Sequence, residues 1–341
     1  MAEKLKVSHS RVKLWRKCKH AYNYRYVQKL RKRIKAHALN VGIIFHDCIE
    51  AWALGKSYKP VLKKYDQEMK NLFQGEREEF QDAFDLAKGM VDGYTSYYEV
   101  DDYVAVELEV NIPLTDDIDY IGYIDALVNK DGGLWLMERK TCKNFLGDDF
   151  TSMDIQTVLY RWALPQMGYE VPRGIIWDMA KKKLPVQPQL LAKGGLSKNS
   201  KIDTTYELYS QAIEDNDLDP DDYSDMLEML KTKENNFQRR VSLPFSKLME
   251  DQVMKDFKET AIEIKILGET LTNRNLGRDC SWCDYKDLCH AELKGLDTNF
   301  IIKKDFTTKE QRDAKEKRDK EKVNKIKKSK SIRNRIKNKK G

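Results

Sequence analysis

The strongest constraint on the fold lies between Tyr103 and Lys140, where the hydrophobic pattern changes period. Upstream, apolar residues recur at helical spacing. From Tyr103 to Val110, and again from Asp119 to Val128, they alternate with polar ones, the period of a strand with one buried face. Asn129-Lys-Asp-Gly-Gly133 is a turn sequence, and Leu134-Trp-Leu-Met-Glu-Arg-Lys140 reads as the returning strand. The spacing predicts helices over 8–34, 41–54, a pair over 60–98, one over 153–167 and one over 246–271, with a further strand over 174–179. Helices, three strands, a helix and a strand describe an α/β or α+β core in the middle of the chain. Residues 181–240, with Gly194-Gly195 and an acidic stretch from Glu214 to Asp225, read as an insertion into that core.

With 40% hydrophobic and 10% aromatic residues over 341 positions, the chain can bury a full core and is not a largely disordered protein. No apolar run approaches the ~20 residues that span a bilayer. The opening MAEKLKVSHSRVKLW has no apolar core followed by a small-residue cleavage site, so no secretion signal is read there. A soluble, cytoplasmic protein is expected, with no membrane partner.

The net charge of +7 conceals an uneven distribution. Residues 1–35 carry 13 Lys+Arg against 1 Asp+Glu, and residues 303–341 carry 18 against 6, so the body between them is acidic. Basic ends on an acidic body suit a polyanion. The segment 303–341 reads as a basic, disordered tail that adds salt-sensitive affinity for nucleic acid. Tyr22, Tyr24 and Tyr26 interleave with Arg25 and Lys29, a composition suited to base stacking. Alternate helical residues do not share a face, however, so core packing takes the larger share of these tyrosines.

The chemistry concentrates on Asp125 and on Glu138-Arg-Lys140. Residues two apart in a strand point to one face, so Glu138 and Lys140 project together, and Asp125 sits across the hairpin. Two carboxylates there suit Mg²⁺ or Mn²⁺, and a neighbouring ammonium can orient a water or offset charge on a phosphate. Acid, acid and lysine suggest phosphodiester hydrolysis, although three such residues taken alone more often make a surface salt bridge. Gly122, three residues before Asp125, allows a close backbone approach. Gln156 and Tyr160, at i and i+4, share a helix face. His46 follows Gly42 on the second helix with Glu50 one turn later, and offers a further ligand.

Of six cysteines, Cys280, Cys283 and Cys289 cluster in a C-x2-C-x5-C segment, which points to metal. A reducing compartment argues against disulfides. The fourth ligand must come from elsewhere, with Cys18 the natural candidate, although its place on an apolar helix stripe also fits plain packing. Four thiolates suit zinc or an iron–sulfur cluster, and His20 or His290 would turn the site toward zinc. Cys48 and Cys142 read as core residues.

Assembled in order, these residues resemble the PD-(D/E)XK nuclease superfamily, and within it the RecB-like branch that carries a 4Fe–4S cluster. That branch includes modules of bacterial helicase–nuclease complexes, CRISPR-associated nucleases and phage exonucleases. Ser8-His-Ser-Arg-Val-Lys-Leu-Trp15 with Cys18 resembles its N-terminal helix, and Val41-Gly-Ile-Ile-Phe-His46 its histidine motif. Gly122-Tyr-Ile-Asp125 resembles its first acidic motif, Glu138-Arg-Lys-Thr141 its (D/E)XK motif, and Gln156-Thr-Val-Leu-Tyr160 its QxxxY motif. Cys280, Cys283 and Cys289 resemble its closing cysteines.

The resemblance implies an α/β, restriction-endonuclease-like core, a central mixed sheet flanked by helices. An N-terminal helical region and a C-terminal cysteine-rich iron–sulfur element would complete one nuclease domain over residues 1–300. It further implies that His46, Asp125, Glu138 and the Arg139 backbone carbonyl hold Mg²⁺ or Mn²⁺. Lys140 would position the attacking water, and Gln156 and Tyr160 would contact DNA or orient the lysine. Cys18, Cys280, Cys283 and Cys289 would hold the 4Fe–4S cluster, with Zn²⁺ as the alternative. The expected activity is a metal-dependent DNA exonuclease acting on single-stranded or unwound ends in recombination, repair or phage DNA processing, with a helicase or recombinase as partner. The rival readings are a catalytically silent DNA-binding subunit and a zinc-stapled RNA-processing protein.

Overall fold

The computed structural model describes residues 3–34, 36–72, 74–308 and 310–311. The chain divides into two compact units, Met1–Lys35 with Asp256–Gly341, and Ala36–Lys255. In chain order, the first residues form β1 (Leu5–Val7), α1 (His9–Lys17), α2 (Lys19–Tyr22), a π-helical turn and β2 (Arg31–Lys32). The larger unit contributes α3 (His37–Ala53), α4 (Lys59–Met69), α5 (Gln74–Tyr97), β3 (Tyr103–Thr115), β4 (Ile118–Lys130) and β5 (Gly133–Cys142). It continues with α6 (Asp148–Ser152), α7 (Ile155–Ala163), β6 (Gly174–Lys181), α8 (Tyr206–Asp215), α9 (Ser224–Thr232) and β7 (Gln238–Pro244). Then come α10 (Lys247–Leu267), which crosses the boundary, α11 (Lys286–Leu293), α12 (Asn299–Asp305) and β8 (Phe306–Thr307).

The strands of the larger unit lie in the order β3-β4-β5-β6-β7, and the sheet is mixed. β5 and β6 run parallel, the other neighbours antiparallel. The parallel pair requires a crossover, which α6 and α7 supply. β6 is buried from Gly174 to Ala180, as befits a central strand with both faces covered. The β4–β5 turn is the tight hairpin its sequence predicts. Asp131 and Gly132 both take positive φ (51° and 69°), and Lys130 pairs with Gly133.

Against one face lie α3, α4 and α5. Val41, Ile44, Phe45, Cys48 and Ile49 recur at helical spacing on α3 and pack with Ala83, Ala87, Met90, Val91 and Tyr94 of α5 and with Ala180 of β6. The predicted helices over 41–54 and 60–98 and the strands of the core are all present, with boundaries moved by a few residues. The stretch 181–240 holds α8 and α9 around a core of its own, including Leu196, Tyr209, Ile213, Tyr223 and Leu230. Its last residues already belong to the sheet, since Gln238 pairs with Ala180 and Arg240 with Asp178.

In the smaller unit, the single helix predicted over 8–34 is broken. Cys18 is extended (φ −164°, ψ 116°), ending α1 and starting α2, although its N–H still reaches Leu14 O at 2.9 Å. Nothing local in Lys17-Cys18-Lys19 forces the break. Tertiary packing decides it, with Cys18 set against Ala21, Tyr24, Tyr285 and Leu288 beside Cys283 and Cys289. Further on, Arg31 and Lys32 pair with Thr307 and Phe306 rather than continuing a helix. Residues 299–307, which straddle the expected start of the tail at 303, are thus helix and strand. The rest of the expected tail, 312–341, lies outside the described residues.

Candidate active site

Asp125 and Glu138 sit where a ladder ends. The β4–β5 pairing runs from Lys130–Gly133 to Ala126–Met137, and Asp125 and Glu138 are the next residues beyond it. There the Arg139 N–H donates to Asp125 Oδ2 at 2.7 Å, so the carboxylate takes the place of a backbone partner. Glu138 is buried. Its Oε1 accepts a hydrogen bond from Lys140 Nζ, as two residues of one strand face require, and its Oε2 has no hydrogen-bond partner among the described residues. A buried carboxylate oxygen without a donor is a costly feature that a cation would relieve.

Two further groups complete the acidic centre. His46, presented by α3, has Nδ1 3.9 Å from Asp125 Oδ1. Burial holds its imidazole below the ordinary histidine range despite the neighbouring Asp125, so near neutrality a ring nitrogen keeps a lone pair for a metal. Glu107, which sequence reasoning did not single out, is the second. Val106 pairs with Ala126 and Leu108 with Ile124, so Glu107 falls opposite Asp125. Its φ of 50° is a left-handed conformation within a strand, where few non-glycine residues sit. Burial, with the charges of Asp125 and Glu50 adding, pushes its carboxyl up to about 7.

Donor atoms of His46, Glu107 and Asp125 lie within 4.8 Å of one another, close to the span across one oxygen-loving cation with ligands at about 2.0–2.6 Å. Glu138 is likewise raised, by burial first and Asp125 second, with the Lys140 ammonium opposing. For Lys140 itself burial favours the neutral amine, but Glu138 and Asp125 outweigh it and the ammonium persists above its ordinary range.

α7 closes the site. Asp154 caps it by accepting the Thr157 N–H at 2.9 Å. One turn apart, Gln156 Nε2 donates to Tyr160 OH at 2.8 Å. The buried Tyr160 hydroxyl is raised above the ordinary phenol range by desolvation and then by the charge of Glu138. Its ring lies over Gly122 of β4, where a Cβ would come within 2.9 Å of Cε1. The close approach expected of Gly122 is therefore to the QxxxY tyrosine. The structure brings His46, Asp125, Glu138, Lys140, Gln156, Tyr160 and the Arg139 peptide into one neighbourhood, and adds Glu107.

The other predicted site lies in the smaller unit. Cys18, Cys280, Cys283 and Cys289 line one cavity of about 560 Å³, and all four thiols are free. Cys280 lies within a 3₁₀ turn (Arg278–Trp282) that Cys283 ends, with the Cys283 N–H on Cys280 O at 3.2 Å, while Cys289 stands on α11. His290 also lines the cavity. His20 has both ring nitrogens engaged, Nδ1 with Thr272 O at 2.9 Å and Nε2 with Glu292 Oε2 at 2.6 Å. Cys48 is a buried core residue whose thiol desolvation pushes up to about 12, consistent with packing rather than chemistry.

A mixed α/β sheet flanked by helices, with Asp125 and Glu138 at the end of a ladder, a lysine two residues on and a histidine from α3, defines a metal-dependent nuclease core. The chain belongs to the PD-(D/E)XK nuclease superfamily, whose family model matches residues 6–290. Enzymes of that superfamily are phosphodiester hydrolases that use divalent metals. Among solved structures, the chain is similar to a candidate exonuclease from Eubacterium rectale, at 12% identity over 82% of this chain and 86% of that one, with a TM-score of 0.44. It is also similar to SSO0001, at 11% identity over 83% of this chain and 95% of that one, with a TM-score of 0.31. Neither likeness is close enough to inform function. No curated protein matches the chain.

Proposed function

We propose that this protein is a divalent-metal-dependent deoxyribonuclease that trims single-stranded or unwound DNA ends, in recombination, repair or phage DNA processing, as a RecB-like exonuclease. The observation that carries the reading is the clustering of His46, Glu107 and Asp125 donor atoms within 4.8 Å of one another, beside the Glu138–Lys140 pair whose buried Glu138 Oε2 has no hydrogen-bond partner among the described residues. The donor set, carboxylate oxygens with one neutral imidazole, fits Mg²⁺ or Mn²⁺. His46, Glu107, Asp125, Glu138 and the Arg139 carbonyl would hold one or two such ions, which supply Lewis acidity at the scissile phosphate and lower the pKa of a bound water.

The protein's own groups do the rest. Lys140, paired with Glu138, positions and activates the attacking water and offsets phosphate charge. Gln156 and Tyr160 hold each other and fix the side of the site nearest Gly122, where they orient the lysine or meet the strand. In the smaller unit, the four cysteines around one cavity support a 4Fe–4S cluster, with Zn²⁺ as the alternative. Such a group would staple the Cys18 break to the Cys280–Cys289 element, a closure between distant parts of the chain.

The test uses 5′- or 3′-end-labelled single- and double-stranded DNA with Mg²⁺ or Mn²⁺, comparing wild type with Lys140→Ala. Metal-dependent loss of label by wild type, with Lys140→Ala still binding DNA but inert, is the expected result, and the label position gives the polarity. A Lys140→Ala variant that cuts at the wild-type rate refutes the mechanism. Binding without cleavage on every substrate by wild type points instead to a silent DNA-binding subunit.

A further inference from the structure

Arg139 stands between two active-site residues, yet its side chain goes the other way. Strand parity sends Glu138 and Lys140 to one face and Arg139 to the opposite one, where it is 2% exposed. There it enters a row of charges across three neighbouring strands. Arg139 of β5 is in register with Asp178 of β6, and Asp178 with Arg240 of β7. Arg139 Nε lies 3.6 Å from Asp178 Oδ2, and Arg240 Nε donates to Asp178 Oδ1 at 3.2 Å.

Aromatic residues close the row. Arg139 Nη2 donates to Tyr103 OH at 2.9 Å, Arg240 Nη2 to Tyr94 OH at 2.9 Å, and the Tyr94 hydroxyl donates to Asp178 Oδ2. Arg240 Nη1 reaches Asp101 Oδ1 at 3.0 Å, and its guanidinium lies 3.9 Å from the centre of the Tyr98 ring. Residues from α5, β3, β5, β6 and β7 thus meet around two guanidinium groups that share Asp178.

Stability alone does not call for this arrangement. Arg139 and Asp178 are withdrawn from water, with Arg240 and Asp101 half-buried beside them, and the buried pair carries a desolvation cost that apolar side chains filling the same space would not. What the network supplies is a fixed position for one peptide, because the Arg139 fork has Tyr103 on one side and Asp178 on the other. The N–H of that peptide, between Glu138 and Arg139, holds Asp125 Oδ2 at 2.7 Å, and Arg139 is the residue that joins Glu138 to Lys140.

We propose that Arg139 is a positioning residue for the metal site: its buried side chain, anchored by Asp178, Arg240, Tyr94 and Tyr103, fixes the peptide that orients Asp125 and Glu138. The proposal rests on the reading of that site as a divalent-metal centre. The guanidinium touches neither metal nor substrate. It acts as an outer partner of the ligands, and removal of such partners commonly weakens metal affinity by about 10–100-fold.

The probe is Mn²⁺ itself, titrated into the full chain and followed by electron paramagnetic resonance of the free ion. Melting curves and the Mn²⁺ dependence of label release from single-stranded DNA are recorded in parallel. Arg139→Met should weaken Mn²⁺ binding by about tenfold or more and raise the Mn²⁺ needed for half-maximal cleavage, with most of the rate restored at saturating metal. Arg139→Lys, which keeps the charge but loses the fork, should fall between. A lowered melting temperature with wild-type Mn²⁺ affinity would mark a purely structural residue and overturn the proposal. Should Arg139→Met not fold, Tyr103→Phe removes the acceptor of Arg139 Nη2, together with the 3.1 Å hydrogen bond that the Tyr103 hydroxyl donates to Asp101 Oδ2. An unchanged Mn²⁺ affinity there overturns the proposal equally, and a weakened one upholds it. A wild-type protein that binds no Mn²⁺ refutes the metal-centre reading instead, so the two failures are distinct.

Discussion

Gly122→Ala is the substitution whose cost follows most directly from the geometry. An added Cβ would meet Tyr160 Cε1 at 2.9 Å, whereas ordinary contacts begin at 3.4 Å, so the ring must retreat by about half an ångström. It has little freedom to do so. Tyr160 is buried, and its hydroxyl is held by Gln156 at 2.8 Å and by the backbone of Tyr123. Overpacking of this kind costs about 1–3 kcal/mol. Taking about 2 kcal/mol for the 220-residue larger unit, the melting temperature should fall by roughly 4–8 °C. Scanning calorimetry of wild type, Gly122→Ala, Tyr160→Ala and the double variant tests the reasoning. Once the ring is gone the methyl has room, so the double variant should be no less stable than Tyr160→Ala alone. A coupling energy of about 1–2 kcal/mol is expected between the two positions. A Gly122→Ala protein that melts with wild type, or strict additivity in the cycle, would refute the claim that Gly122 exists to admit Tyr160.

Two further expectations concern the ligands. The Glu107 carboxyl is raised to about 7 from an ordinary 4.5, so a cation must displace a proton from it at neutral pH. Mn²⁺ affinity should therefore climb from pH 6 to pH 8, and Glu107→Gln should flatten that slope while leaving the part due to Glu138. A slope identical in the variant would remove Glu107 from the ligand set. In the metal-free protein the same group adds stability below pH 4.5 that is lost as pH rises through 7, the opposite trend to metal binding, and pH-dependent melting with and without Mn²⁺ separates the two. In the smaller unit, Cys283→Ser should lower soluble yield and iron content together, read by brown colour and iron assay on protein purified without oxygen. An unchanged melting curve would argue against a stapling cluster.

The sequence reveals the active site well where strand parity and helix spacing carry the signal. Glu138 and Lys140 are two apart on one strand, Gln156 and Tyr160 four apart on one helix, and Asp131-Gly132 sets the hairpin that brings Asp125 across. What stayed hidden depends on register or on backbone irregularity. Glu107 and Glu109 occupy equivalent positions in the same alternating stretch, and only the register, with Glu107 opposite Asp125, separates them. Asp178 left a trace, as the one acid in the otherwise apolar Gly174-Ile-Ile-Trp-Asp-Met-Ala180, but its partners Tyr94, Arg139 and Arg240 come from three other elements. Cys18 misled in the other direction. Its helical spacing with Trp15 and Tyr22 is real, yet the backbone extends there, because packing around the cysteines outweighs a propensity worth a few tenths of a kcal/mol per residue.

The acidic centre also explains why a site of this kind needs more than its ligands. Glu107, Asp125 and Glu138 gather three carboxyls beside one ammonium and a neutral imidazole. Without a cation, such a group is relieved by taking up protons, which is what the raised carboxyls of Glu107 and Glu138 express. It is also relieved by moving apart, which would ruin the geometry a cation requires. Protonation is reversible and local, whereas displacement is not, so a functional site must make movement the costlier response. The buried row Arg139–Asp178–Arg240 does this from behind, holding the strand that carries Glu138 and Lys140. Tyr160 over Gly122 does it from the α7 side. Burial, with repulsion among the carboxyls adding to it, is thereby expressed as proton affinity, and on the proposed reading binding of the ion becomes an exchange of protons for metal on a frame already in place.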